Sequence, residues 1–152
     1  MKLNPSKLNS FLLFKLPSAY ISGVRVREID LLKCKVTVKH RWINQNPFKS
    51  MYFATQAMAA ELTTGALVMN HIQGGGKKIS MLVAQNKAVF TKKATGLITF
   101  VCQDGHKIEK ALKDTITTGE GQSFWMKSIG VDEKGVQVSE MEFEWSIKLK
   151  AK

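Results

Sequence analysis

Between residues 33 and 43 apolar and polar positions alternate with a period of two. Cys34, Val36, Val38, His40 and Trp42 share one side, and Lys33, Lys35, Thr37, Lys39 and Arg41 the other. Successive strand side chains point to opposite faces, so this pattern predicts a half-buried strand with a basic outer face. Upstream, Leu8, Phe11, Leu12, Leu13, Phe14 and Leu16 predict a short amphipathic helix that Pro17 stops. A second alternation over 24–29, reversed at 30–32, predicts a hairpin. Asn46-Pro47 should end the basic strand in a turn, with Ser50 as the N-cap of the following helix.

Residues 51–69, MYFATQAMAAELTTGALVM, hold 13 apolar residues in 19, and these are spread around the helical circumference rather than along a stripe. Such a helix is buried. Gln56, Glu61, Thr63 and Thr64 interrupt it well short of the ~18 continuous apolar residues of a membrane span. Beyond the glycines at 74–76, strands are predicted over 79–90 and 97–102, then a surface helix carried by Ile108, Ala111, Leu112 and Ile116 and stopped at Gly119. Strands over 123–129 and 136–149 flank a turn at 132–135. In the last of these, Met141, Phe143, Trp145, Ile147 and Leu149 alternate with polar residues, so one face is buried and the other wet.

The chain of 152 residues is expected to form a single α+β domain over 1–152, with an N-terminal helix and lead-in at 1–20 and a central helix at 51–70. A mainly antiparallel sheet that must cover a helix apolar on all sides has to curl around it, which is the hotdog architecture. Cys34 and Cys102 lie far apart, form no CxxC and fall within apolar alternation, so they read as core residues in a reducing, cytoplasmic setting. The cluster at 11–14 is too short for a secretory core.

Charge changes the picture more than composition does. Twenty-three Lys and Arg against 12 Asp and Glu leave +11, which favours an anionic partner. Gly74-Gly75-Gly76-Lys77-Lys78 lacks the first glycine and the Ser or Thr of a phosphate loop and follows a helix, so nucleoside triphosphatase chemistry is set aside. His40, His71 and His106 are dispersed without metal-ligand spacing, and no metal is expected. No RNA- or DNA-binding motif accompanies the charge, so no nucleic-acid partner is expected either.

Glu61 is the only acidic or basic residue within 51–69. Burial should raise its pKa toward neutrality, where a carboxylate suits general-base work. Its helical neighbours at three and four residues are Ala57, Met58, Thr64 and Gly65, mostly small, leaving room for a ligand or a second helix. Glu61 lies eight residues beyond Phe53, roughly 12 Å at about 1.5 Å per residue, so one helix cannot serve one carbonyl with both its N-terminal amides and Glu61. Two subunits with antiparallel central helices can.

The run NQNPFKSMYFATQAMAAELTTGALV resembles the loop and central helix of hotdog-fold acyl-CoA thioesterases. The match is closest to a thioesterase-related subfamily on RVREID at 25–30, HRWINQNPF at 40–48 and AELTTG at 60–65, and element order agrees along the whole chain. Better-studied members open this helix with His-Gly-Gly, nine residues ahead of a carboxylate; here Tyr52, Phe53 and Ala54 stand in its place, while Glu61 keeps the carboxylate. The resemblance implies thioester hydrolysis at a homodimer interface, with dimer against tetramer open, no cofactor, and coenzyme A arriving as part of the substrate. Glu61 would be general base or nucleophile. Backbone amides near Met51, Tyr52 and Phe53 would polarise the carbonyl, Asn46 would contact the carbonyl or the water, Thr64 would orient Glu61, and Ser50, Thr64 and Gly65 complete the expected substrate site. Lys77, Lys78, Lys92 and Lys93 are candidates for the coenzyme A phosphates. The alternative is a non-catalytic module that binds acyl-CoA or a lipid-like ligand in the same tunnel.

Overall fold

In the computed structural model, which describes residues 3–151, one antiparallel six-stranded sheet curls around a long helix. Residues 1, 2 and 152 of the expected 1–152 domain lie outside the described part. The elements run α1 (Pro5–Lys15), α2 (Pro17–Ile21), β1 (Arg25–Ile29), β2 (Cys34–Lys39), α3 (Phe53–Gly74), β3 (Ile79–Phe90), β4 (Leu97–Cys102), α4 (Gly105–Thr118), β5 (Gln122–Val131) and β6 (Gln137–Leu149). Strand order across the sheet is β1-β2-β4-β5-β6-β3, which leaves β1 and β3 at the edges. This is the expected α+β hotdog arrangement, with α3 packed mainly on β2, β4 and β5.

One local expectation is extended and two are corrected. Pro17 ends α1 and also opens α2 as its first residue, a position where the missing proline N–H costs nothing. The basic strand stops at Lys39, and Trp42–Asn44 form a 3-10 turn, so Trp42 leaves the buried row of Cys34, Val36 and Val38 and is 81% exposed. The turn is riveted by the buried Asn44, whose Nδ2 donates to Ser22 O and Lys39 O, each at 2.9 Å, while its Oδ1 accepts from Arg41 N. The central helix begins two residues later than expected. Ser50 is not its N-cap, because Met51 N donates to Ala94 O and Tyr52 N to Asn44 O, both at 2.8 Å, and these bonds hold the chain extended through Tyr52.

The polar residues of α3 explain how a nearly all-round buried helix keeps one register against the sheet. Ser139 Oγ donates to Gln56 Oε1 at 2.9 Å, Thr63 Oγ1 to Ser128 Oγ at 2.9 Å, and Trp145 Nε1 to Thr64 Oγ1 at 2.9 Å. A buried polar group without a partner costs about 1–3 kcal/mol, so a slip of α3 would break three bonds at once. Thr64→Val should therefore leave the indole N–H of Trp145 unpaired and lower stability by about 1–3 kcal/mol. Thr64→Ser should keep most of it, and urea unfolding midpoints of the two variants make the comparison.

Cys34 and Cys102 face each other across β2 and β4, fully buried, and burial pushes both thiols up to about 12, so neither is a nucleophile.

Candidate active site

The loop before α3 is built by Asn46. Its Oδ1 accepts from Phe48 N at 2.9 Å and Ser50 N at 3.2 Å, and its Nδ2 donates to Ser50 Oγ at 3.0 Å. The side chain expected to contact the carbonyl or the water is thus engaged in an Asx turn. Lys49 within the loop has φ 58°, the left-handed region that a non-glycine residue occupies only where the surroundings hold it.

This loop, the first turn of α3 and the crossover after β3 enclose a cleft of about 570 Å3. It brings together Asn46, Ser50, Met51, Tyr52, Phe53, Lys92 and Lys93 of the expected site and adds Phe48, Gln56 and Phe90. Its wall is aromatic, with the rings of Tyr52 and Phe53 5.0 Å apart and those of Phe53 and Phe90 6.3 Å apart, both edge to face. Gln56 escaped the sequence reading because a lone amide within an apolar run carries no periodic signal. Its Oε1 accepts from Ser139 Oγ, and the residue lines the cleft.

The N-terminus of α3 opens into this cleft without a side-chain cap. Met51 N and Tyr52 N, two of the amides expected to hold a carbonyl, are already spent on Ala94 O and Asn44 O. The amides of Phe53 and Ala54 have no partner among the described residues. The available donors therefore shift one to two residues along the chain, to where the helix dipole is most positive.

Glu61 sits two turns further along α3. Burial alone pushes its carboxyl up to about 7, and no hydrogen bond or ion pair reaches the carboxylate among the described residues. Thr64 does not orient that carboxylate, since its hydroxyl donates to the backbone O of Glu61 at 2.8 Å and accepts from Trp145. Gly65 matters by what it lacks: a Cβ there would stand 3.1 Å from Glu61 Oε1 and 3.1 Å from Trp145 Cζ2. The missing methyl lets carboxylate and indole close on the same spot.

The lysines divide. Lys93 Nζ donates to Phe48 O at 3.4 Å on the cleft rim, and Lys92 is paired with Asp132 at 2.6 Å. Lys77 and Lys78 stand past the far end of the 22-residue α3, about 33 Å along the helix from the cleft of their own chain. Among the described residues no group of three or more His, Cys, Asp or Glu is placed to hold a metal ion.

An antiparallel sheet wrapped on a central helix, with a cleft at that helix's start and a half-buried carboxylate on the face it shares with Ala54, Ala57 and Met58, defines a hotdog-fold protein. Residues 6–147 match the family described as "Domain of unknown function (DUF4442)", and the chain belongs to that family. Among solved structures, it is similar to a Pseudomonas aeruginosa protein of unknown function described as a probable thioesterase, with 21% identity, 99% of each chain covered and a TM-score of 0.82. A Chlorobaculum tepidum protein of unknown function has 14% identity over 98% of this chain and 99% of its own, also at 0.82. A thioesterase from Haemophilus influenzae has 11% identity over 98% and 93%, at 0.75. At these identities the likeness is one of fold. No curated protein matches the chain.

Proposed function

We propose that this protein is an acyl-CoA thioesterase that works as a homodimer, with Glu61 of one subunit serving the cleft of the other. The observation that carries the reading is Glu61 itself, an unpaired carboxylate among the described residues, raised to about 7 on a helix whose start presents two free amides. Two sites about 12 Å apart on one rigid helix meet at a single carbonyl only when a second helix lies antiparallel. The edge strand β3 supports that pairing. Its outer ladder has no partner among the described residues, and Asn86, Ala88 and Phe90, which register with the inward row of β6 or its Ser139, are exposed on the concave side. A second copy added at this edge would cover them.

In the proposed reaction the thioester carbonyl oxygen lies against the N–H groups of Phe53 and Ala54. The partner subunit's Glu61 takes a proton from water as the water oxygen bonds to the carbonyl carbon. Collapse breaks the C–S bond, and the departing sulfur receives the proton, giving a carboxylic acid and free coenzyme A. Direct attack by Glu61 on the carbonyl carbon would instead pass through an acyl-enzyme anhydride that water then opens. The aromatic wall of Tyr52, Phe53 and Phe90 suits an apolar or aromatic acyl group, and Lys93 is the rim cation best placed for a coenzyme A phosphate.

The test is hydrolysis across short, medium, long and aromatic acyl-CoAs, with ligand-induced thermal stabilisation followed in parallel. Because the ionised form of Glu61 is the active one, the rate should climb with pH through about 7 and level above it. Stabilisation by acyl-CoA with no turnover on any substrate would replace this reading with the binding module.

A further inference from the structure

The basic charge and the exposed apolar surface of this chain are concentrated in the same part of it. Residues 1–60 hold ten Lys and Arg against only Glu28 and Asp30, which is +8 of the total +11. Twelve of the seventeen exposed large apolar side chains among the described residues also fall there. Neither the proposed catalytic cleft nor the β3 edge accounts for the most exposed of these. Trp42 is 81% exposed and Ile43 49%, and both project from the 3-10 turn after β2. Ile21, 61% exposed at the end of α2, lies beside that turn, since Arg41 Nη2 donates to Ile21 O at 3.5 Å and Asn44 Nδ2 to Ser22 O.

The turn is rigid, fixed by the three bonds of Asn44, so the exposure of Trp42 is built in by backbone geometry. Lys39 and Arg41 immediately precede it in the chain, both exposed, and neither forms an ion pair among the described residues. An exposed amphipathic indole that follows two exposed cations without ion pairs matches the headgroup level of an anionic bilayer. There the ring buries apolar area and each nearby Lys or Arg adds electrostatic attraction to the anionic lipids. The patch follows β2, which is separated from the edge strand β3 by β4, β5 and β6 in the sheet order. Among the described residues no helix is long and apolar enough to cross a membrane, so any such contact is with the surface.

We propose that the Arg41–Ile43 turn, with Ile21 beside it, docks this protein on the surface of an anionic lipid bilayer. The inference stands apart from thioester hydrolysis, and its failure leaves that reading untouched. The test uses the full-length protein with vesicles of phosphatidylcholine alone or mixed with about 30% phosphatidylglycerol, read by co-sedimentation and by tryptophan emission. The protein should sediment with the anionic vesicles and not the neutral ones. Added salt should weaken the binding, and emission should shift to the blue in wild type but not in Trp42→Phe. The double variant Trp42→Ser/Ile43→Ser, checked for an unchanged melting curve, should bind about tenfold more weakly or less still. Absence of binding to either vesicle overturns the proposal, and so does binding that the double variant retains in full. Self-association that this variant abolishes would assign the patch to a second copy and overturn it equally.

Discussion

Glu61→Gln abolishes hydrolysis and at the same time makes the protein more stable; this paired result is expected if the carboxylate is held for catalysis. Loss of a general base costs roughly 10²- to 10⁴-fold in rate, and loss of a nucleophile costs at least as much. The stability change follows from linkage. The folded carboxyl has a pKa of about 7 against an ordinary 4.5, so between these values the folded chain holds a proton that the unfolded chain has released. Its contribution to stability therefore falls as pH rises from about 4.5, and the full cost is in place above about 7. At ~1.4 kcal/mol per pKa unit the neutral amide recovers up to about 3 kcal/mol at pH 8. The partly solvent-facing carboxylate brings the figure down from that ceiling. At pH 4 the variant and wild type should melt together. Thermal melts at the two pH values make the measurement, and a variant that loses both activity and stability at pH 8 would show Glu61 to be structural.

The second large effect concerns the start of α3. Phe53→Pro deletes one of the two free amides at the first helical position, where proline is tolerated and where the preceding Tyr52 already has the extended φ −62°, ψ 136° that a following proline demands. Phe53→Ala removes the same ring and keeps the N–H. The ratio of their kcat values isolates the amide and should be roughly 10² to 10³ in favour of alanine. Equal rates for the two would remove the Phe53 amide from the mechanism. Phe53→Pro and Glu61→Gln also test the arrangement of subunits. Each homodimer is inactive, but a randomly mixed dimer contains one site with both a good cleft and a good carboxylate. Mixing equal amounts under exchange conditions should restore about a quarter of wild-type activity. If cleft and carboxylate of the same chain acted together, mixing would restore nothing.

Much of this site was legible before the fold was known. Glu61 stood out because it is the single charged residue in a run too apolar to leave the core, and burial of that run raises its pKa directly. The strands expected over Ile79–Phe90 and Leu97–Cys102 match β3 and β4 to the residue, because the glycines at 74–76, the polar stretch at 91–96 and Asp104-Gly105 bound them. Of the three amides expected to be free, only that of Phe53 stays so, and Ala54 joins it. No local signal in Met51-Tyr52 says that their N–H groups will be taken by Ala94 and Asn44, which are respectively 43 and eight residues away. Gln56, Thr63 and Thr64 looked like interruptions of an apolar helix, yet their bonds to Ser139, Ser128 and Trp145 fix its register. Trp42 followed the strand's period on paper and left it in space, since Asn44 bends the chain by bonds to a turn 22 residues upstream.

The sequence by itself determined the element order, the buried central helix, the curling of the sheet around it and the identity of its one carboxylate. These depend on periodicity and composition, which act over a few neighbouring residues. Tertiary structure alone decided which backbone donors stay free, which polar side chains are spent on the fold, and which apolar groups end on the surface. Apart from local bonds such as those of Asn46 within its own loop, these depend on partners distant in the chain, and hydrogen-bond pairing between distant segments leaves no trace in local pattern.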